Sequence, residues 1–144
     1  MLGLSIFVML GCEAHLGVLP ATGAWSLGDV RAPVAEPDAD RWARDALVAA
    51  LSAREALAAS GPAVDVLVTQ ASFTPARRST ETLLYDATVT LTLTTANRTV
   101  TRSITRSVVD PGNASGAASA RADILRGLVR EAVDQAVAGL LSAP

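Results

Sequence analysis

Nucleophilic catalysis needs a hydroxyl or thiol beside a general base, and this chain offers one histidine, His15, and one cysteine, Cys12. Both lie before Leu16, in a stretch that reads as signal and tether, so no nucleophile–base set can be assembled from them. A single Cys allows no internal disulfide, and one Cys with one His cannot build a metal cluster. The carboxylates Asp65, Glu81, Asp86 and Asp110 are scattered. A general acid–base pair would need the fold to bring two of them together. No phosphate-binding loop and no GxGxxG run occurs. The expectation is a protein that is not an enzyme and uses no cofactor or metal.

What chemistry remains belongs to arginine. All 12 basic residues are Arg, and the net charge is −2. That balance points to no polyanion, so nucleic acid is not an expected partner. Arg98, Arg102 and Arg106 recur every fourth residue, and Arg77-Arg78 stand just upstream. Guanidinium forks bind phosphates bidentately. Where their stems cross apolar surface, the pattern suits an anionic lipid. The plainer alternative satisfies these heads with Glu131, Asp134 or water.

Cys12 has its own context. Met1 to Gly11 is an apolar stretch, and Met9-Leu10-Gly11-Cys12 matches the cleavage pattern of bacterial lipoprotein signals, in which the peptide is cut before the cysteine and the cysteine is acylated. No Lys or Arg precedes the apolar stretch, although signal peptides normally start with one. The competing reading is a buried N-terminal strand with a core cysteine. The division expected is 1–11 signal peptide, 12–24 lipidated tether (Gly17, Pro20 and Gly23 interrupt any period) and 25–144 one periplasmic α+β domain. Glu13, rather than Asp, after the cysteine favours the outer membrane. No apolar run reaches the 18 residues of a transmembrane helix.

The elements that position the arginines follow from periodicity. From Glu81 to Val109 the chain alternates with period two, a long hairpin turning near Ala96-Asn97. Leu83, Tyr85, Ala87, Val89, Leu91 and Leu93 oppose Thr88, Thr90, Thr92 and Thr94 across the first strand. Val100, Arg102, Ile104, Arg106 and Val108 alternate with Thr99, Thr101, Ser103, Thr105 and Ser107 on the second. A one-residue slip would set leucines beside hydroxyls. The register must therefore pair Thr94 with Thr99, Thr92 with Thr101, Thr90 with Ser103 and Thr88 with Thr105. One face is then neutral and hydroxylated (Thr88, Thr90, Thr92, Thr101 and Thr105 face a partner or solvent), and the other is apolar with arginines set in it.

Elsewhere, Trp25–Val30 is a short strand candidate with Trp25, Leu27 and Asp29 on one side. A helix runs from Ala39 to about Ala59, and a Val-rich strand spans Ala63–Phe73. Pro75–Thr80 reads as a loop, and Asp110–Ser119 as a second. Ala120–Leu141 carries adjacent apolar pairs every four residues, the clearest helical pattern in the chain. Its length, about 33 Å at 1.5 Å per residue, fits a hairpin strand of about 40 Å. It is expected along the apolar face of the hairpin. The fold class is α+β: a two-layer sandwich, with a mixed sheet of about four strands and two helices on one face, in the order β-α-β-β-β-α.

This order behind a lipoprotein signal resembles the LptE family of lipopolysaccharide-assembly lipoproteins of the outer membrane. Three segments carry the resemblance: helix Asp40-Arg-Trp-Ala-Arg-Asp-Ala-Leu, strand Ala63-Val-Asp-Val-Leu-Val-Thr and long strand Tyr85-Asp-Ala-Thr-Val-Thr-Leu-Thr-Leu. Leu125–Leu141 stands as the closing helix. The resemblance implies a β-barrel partner, LptD, plugged from inside, and contact with lipopolysaccharide. Two other roles share the signal and the layers: an auxiliary lipoprotein of an ABC-type lipid trafficking system, and an activator of a periplasmic enzyme.

Overall fold

Four strands and two helices follow one another as β1 (Ser26–Arg31), α1 (Ala39–Ser52), β2 (Ala63–Arg78), β3 (Leu83–Thr95), β4 (Arg98–Val109) and α2 (Ala117–Leu141). The computed structural model describes residues 24–78, 83–109 and 116–142. The Cys12 assignment, His15, Glu81 and Asp110 lie outside them. The strands form one sheet in sequence order, with β1 parallel to β2 and the other pairs antiparallel. Both helices cover the same face, α1 beside β1 and β2, and α2 across β3 and β4, and the helices pack on each other. This is the expected two-layer α+β sandwich.

The hairpin has the register that its faces require. Thr94 pairs with Thr99, Thr92 with Thr101, Thr90 with Ser103 and Thr88 with Thr105, while Val89 meets Ile104 and Tyr85 meets Val108. Ala87, Val89, Leu91 and Leu93 are fully buried against Leu128, Val129, Val133 and Val137 of α2 and the rest of one core. Full burial of such a side chain stabilises by about 1.5–3 kcal/mol, which is what makes a 25-residue helix worth ordering here.

Four boundaries differ from the sequence expectation, each for a local reason. Helix α1 ends at Ser52 and not near Ala59. The segment after it is used to hold Trp25: Trp25 N–H donates to Ala56 O at 2.7 Å and Ala58 N–H to Trp25 O at 2.8 Å. Glu55, at φ +53°, makes the break. Strand β2 runs on through Pro75 to Arg78, so this stretch is not a loop up to that point. Beyond Leu67 β2 has lost β1 as a neighbour and is an edge among the described residues, and a register shift follows Pro75. Proline is tolerated at such an edge because no partner needs its missing N–H.

At the other two boundaries the change is smaller. Helix α2 begins three residues earlier than expected, after Gly116 at φ +101°, a conformation that glycine adopts without strain. Strand β1 is shifted by one residue and has an irregularity between Leu27 and Val30. In consequence Trp25 packs against the core while Leu27 and Asp29 are exposed, so the three do not share a face.

Candidate functional site

No described element covers the sheet face away from the helices. Thr88, Thr90 and Thr92 of β3 and Thr101, Ser103 and Thr105 of β4 form three rungs on it. Thr88 and Thr105 share a hydrogen bond of 3.0 Å, Thr90 and Ser103 one of 2.8 Å, and Thr92 and Thr101 one of 3.0 Å. Gln70 of β2 joins the middle rung by accepting from Thr90 Oγ1 at 3.4 Å. The rungs carry no charge. Charge sits at the margins: Asp86, which accepts from Ser107 Oγ at 2.6 Å, and a corner of Asp29, Arg31 and Asp65. Hydroxyls bonded to each other have less to lose to dehydration than ionised groups, so this face can be covered cheaply by a polar wall.

The arginines lie on the other face, in the margin between β4 and α2. Arg98 Nη1 donates to Leu140 O at 3.4 Å, near the C-terminus of α2. Arg102 Nη1 donates to Thr101 O at 2.9 Å, and its guanidinium lies against Gly139, where a Cβ would approach Nη2 to 2.8 Å. Arg106 is ion-paired with Glu131 and keeps 60% of its side chain exposed. The three heads thus have separate partners, Leu140 O, Thr101 O and Glu131. Arg77 and Arg78 close β2, paired in register with Leu84 and Leu83. That is the end of the sheet opposite Arg98, so the five arginines are not one cluster.

Several features were not read from the sequence. Asp134 was a candidate partner for the hairpin arginines, but it takes Arg54 at 2.8 Å, tying the end of α1 to α2. That hydrogen bond holds the Asp134 carboxyl below its ordinary value, with desolvation opposing and the charges of Arg54 and Arg130 assisting. The same bond raises Arg54. Between the helices runs a groove floored by Ala46, Ala49 and Gly127 with Arg130 at its rim, in two lobes of about 380 and 520 Å³. Gly127 was the available clue, since a mid-helix glycine costs about 1 kcal/mol against alanine and its missing Cβ would meet nothing within 4 Å. A third hollow, at the start of β1, is lined by Ser26, Leu27, Leu57, Ala58 and Ala59. No helix among the described residues is long and apolar enough to cross a membrane.

Among solved structures the chain is similar to a "putative lipoprotein" from Caulobacter crescentus CB15, with TM-score 0.50 and 14% identity over 85% of this chain and 90% of that one. Other similar structures are rare lipoprotein B of Shewanella oneidensis (TM-score 0.49, 12% identity, 82% of this chain and 94% of that one) and PelC of Paraburkholderia phytofirmans (0.45, 12%, 85% and 89%). At such identities the likeness is one of architecture. No family model matches the chain, and no curated protein does.

Proposed function

We propose that this is a lipid-anchored protein of the periplasmic side of the outer membrane that assists lipopolysaccharide assembly, without catalysis, as the partner or plug of an LptD-like β-barrel. The observation that carries the reading is the bare, uncharged hydroxyl face with its three internally bonded rungs. A barrel lumen is polar, and a neutral hydroxyl sheet can lie against it without burying an unpaired charge. Likeness in fold to the Caulobacter protein and the match of Met9-Leu10-Gly11-Cys12 to a lipoprotein signal support the lipid anchor in this reading. In the same reading Arg102 and Arg106 meet the anionic groups of lipopolysaccharide one at a time, beside apolar surface from Ile104 and Val108.

The test is affinity capture of the full chain from detergent-solubilised envelope. An outer-membrane barrel should come with it, and the Thr92→Asp/Thr101→Asp chain, melting like the parent, should recover at least about tenfold less, the effect of 1.4 kcal/mol. Capture without any barrel, or equal capture by both chains, would overturn the reading.

A further inference from the structure

The hollow at the start of β1 is lined by apolar and uncharged residues alone. Nine residues in succession, Ala56 to Val64, are uncharged, and so are Ala24 to Gly28, which run beside them. These two segments are bound to each other through the backbone. Besides the two Trp25 bonds, Ser26 N–H donates to Pro62 O and Ser26 Oγ–H to Gly61 O, both at 2.9 Å. Gly61, at φ +144°, lets Ala24 O come within 2.7 Å of where a Cβ would be. The patch is therefore a built corner and not a loose loop. Leu27 and Leu57, two of the four large hydrophobics exposed among the described residues, stand there at 36% and 37% exposure, around a hollow of about 470 Å³.

The described chain begins at this corner, with Ala24. Eleven residues separate it from Cys12, a span of at most about 40 Å. An acyl anchor at Cys12 thus holds Ala24 within that distance of the membrane, a limit that the end bearing Arg78 and Val109 does not share. We propose that the uncharged corner around Leu27 and Leu57 rests on the phospholipid surface in which the anchor sits. The proposal depends on the lipid-anchor reading of Cys12. Seated so, the domain stands on its tether root with the sheet rising from the bilayer, and the hydroxyl face stays free for a partner.

Hydrogen exchange read by mass spectrometry tests this on the full chain, bound to vesicles of phosphatidylethanolamine and phosphatidylglycerol, against the Cys12→Ser chain free in buffer. Amides of 24–28 and 57–63 should exchange about tenfold more slowly on the vesicles, as expected for covering the exposed third of two leucines. Amides of 99–107 should not change. Leu27→Asp/Leu57→Asp, still anchored, should lose the protection. Equal exchange with and without lipid overturns the seating, as does slowing of equal size over 99–107. Slowing that grows with protein density on the vesicle assigns the corner to a second copy and also overturns it. The mass of the N-terminal peptide reports the anchor separately. If Cys12 is a free thiol the anchor reading falls, and coupling that thiol to a maleimide lipid lets the exchange measurement still decide the seating.

Discussion

At the scale of single residues, two glycines of one sequence type have opposite physical roles. A Cβ on Gly28 would lie 2.1 Å from Asp65 Oδ1 and 2.8 Å from Val64 O. Asp65 can swing away, at the cost of its 2.7 Å bond from Asp29 N–H, but the Val64 carbonyl cannot. Gly28→Ala should destabilise by about 1–3 kcal/mol in urea denaturation. Gly127→Ala meets open space and should stabilise by about 0.5–1 kcal/mol through helix propensity alone. The arginines divide similarly. Arg102→Ala/Arg106→Ala removes one ion pair with half-exposed partners, so the melting temperature should shift little, since such pairs contribute about 0.2–1 kcal/mol. Binding of lipopolysaccharide to the full chain, measured by calorimetry at low and high salt, should fall sharply in the same variant. Unchanged binding with a lowered melting temperature would make these arginines structural.

At the scale of elements, the contrast is between the two faces of one hairpin. Leu128 and Val133 are buried where α2 meets the sheet, and Leu128→Asp or Val133→Asp would place an unpaired carboxylate there. Either should cost several kcal/mol, while Thr92→Asp and Thr101→Asp should leave the unfolding midpoint nearly unchanged. If the two groups behaved alike, the layer assignment would be wrong. The join between α1 and α2 should show in acid. A carboxyl lowered by folding contributes stability that is complete above its unfolded value and is lost as pH falls through the lowered folded one. Asp134, held down by the Arg54 hydrogen bond, follows that rule. The unfolding free energy lost in Asp134→Asn should be about 0.2–1 kcal/mol at pH 7. It should shrink towards nothing as pH drops below about 4, measured by denaturation at both pH values.

At the scale of the whole molecule, the arrangement has ends as well as faces. The start of β1, the turn at Ala96-Asn97 and the C-terminus of α2 share one end, and Arg78 and Val109 the other. Cys12→Ser should leave the first eleven residues uncut and remove the chain from the outer-membrane fraction of a lysate, with mass spectrometry reading the uncleaved N-terminus. A processed chain that starts elsewhere would refute the lipoprotein assignment.

Period-two alternation over Leu83–Thr95 and Arg98–Val109, with one face apolar, by itself determines the hairpin, its register and the hydroxyl face, because a slip exposes every leucine at once. The same holds for α2, whose paired aliphatics leave it one side to bury. What lay beyond reach was whatever depends on a neighbour distant in sequence. Ala53–Ala59 has good helical composition, yet it leaves the helix because Trp25 needs its carbonyl and amide groups. Pro75 reads as a break, yet it sits in β2 because β1 has already ended there. Asp134 turns to Arg54, not to the hairpin, because α1 packs beside α2. Local patterning fixes which face of an element is buried, since that is set by the period of its own side chains. Which partner each polar group finds, and where an element stops, depends on free energies shared between segments tens of residues apart, and only the tertiary structure decides them.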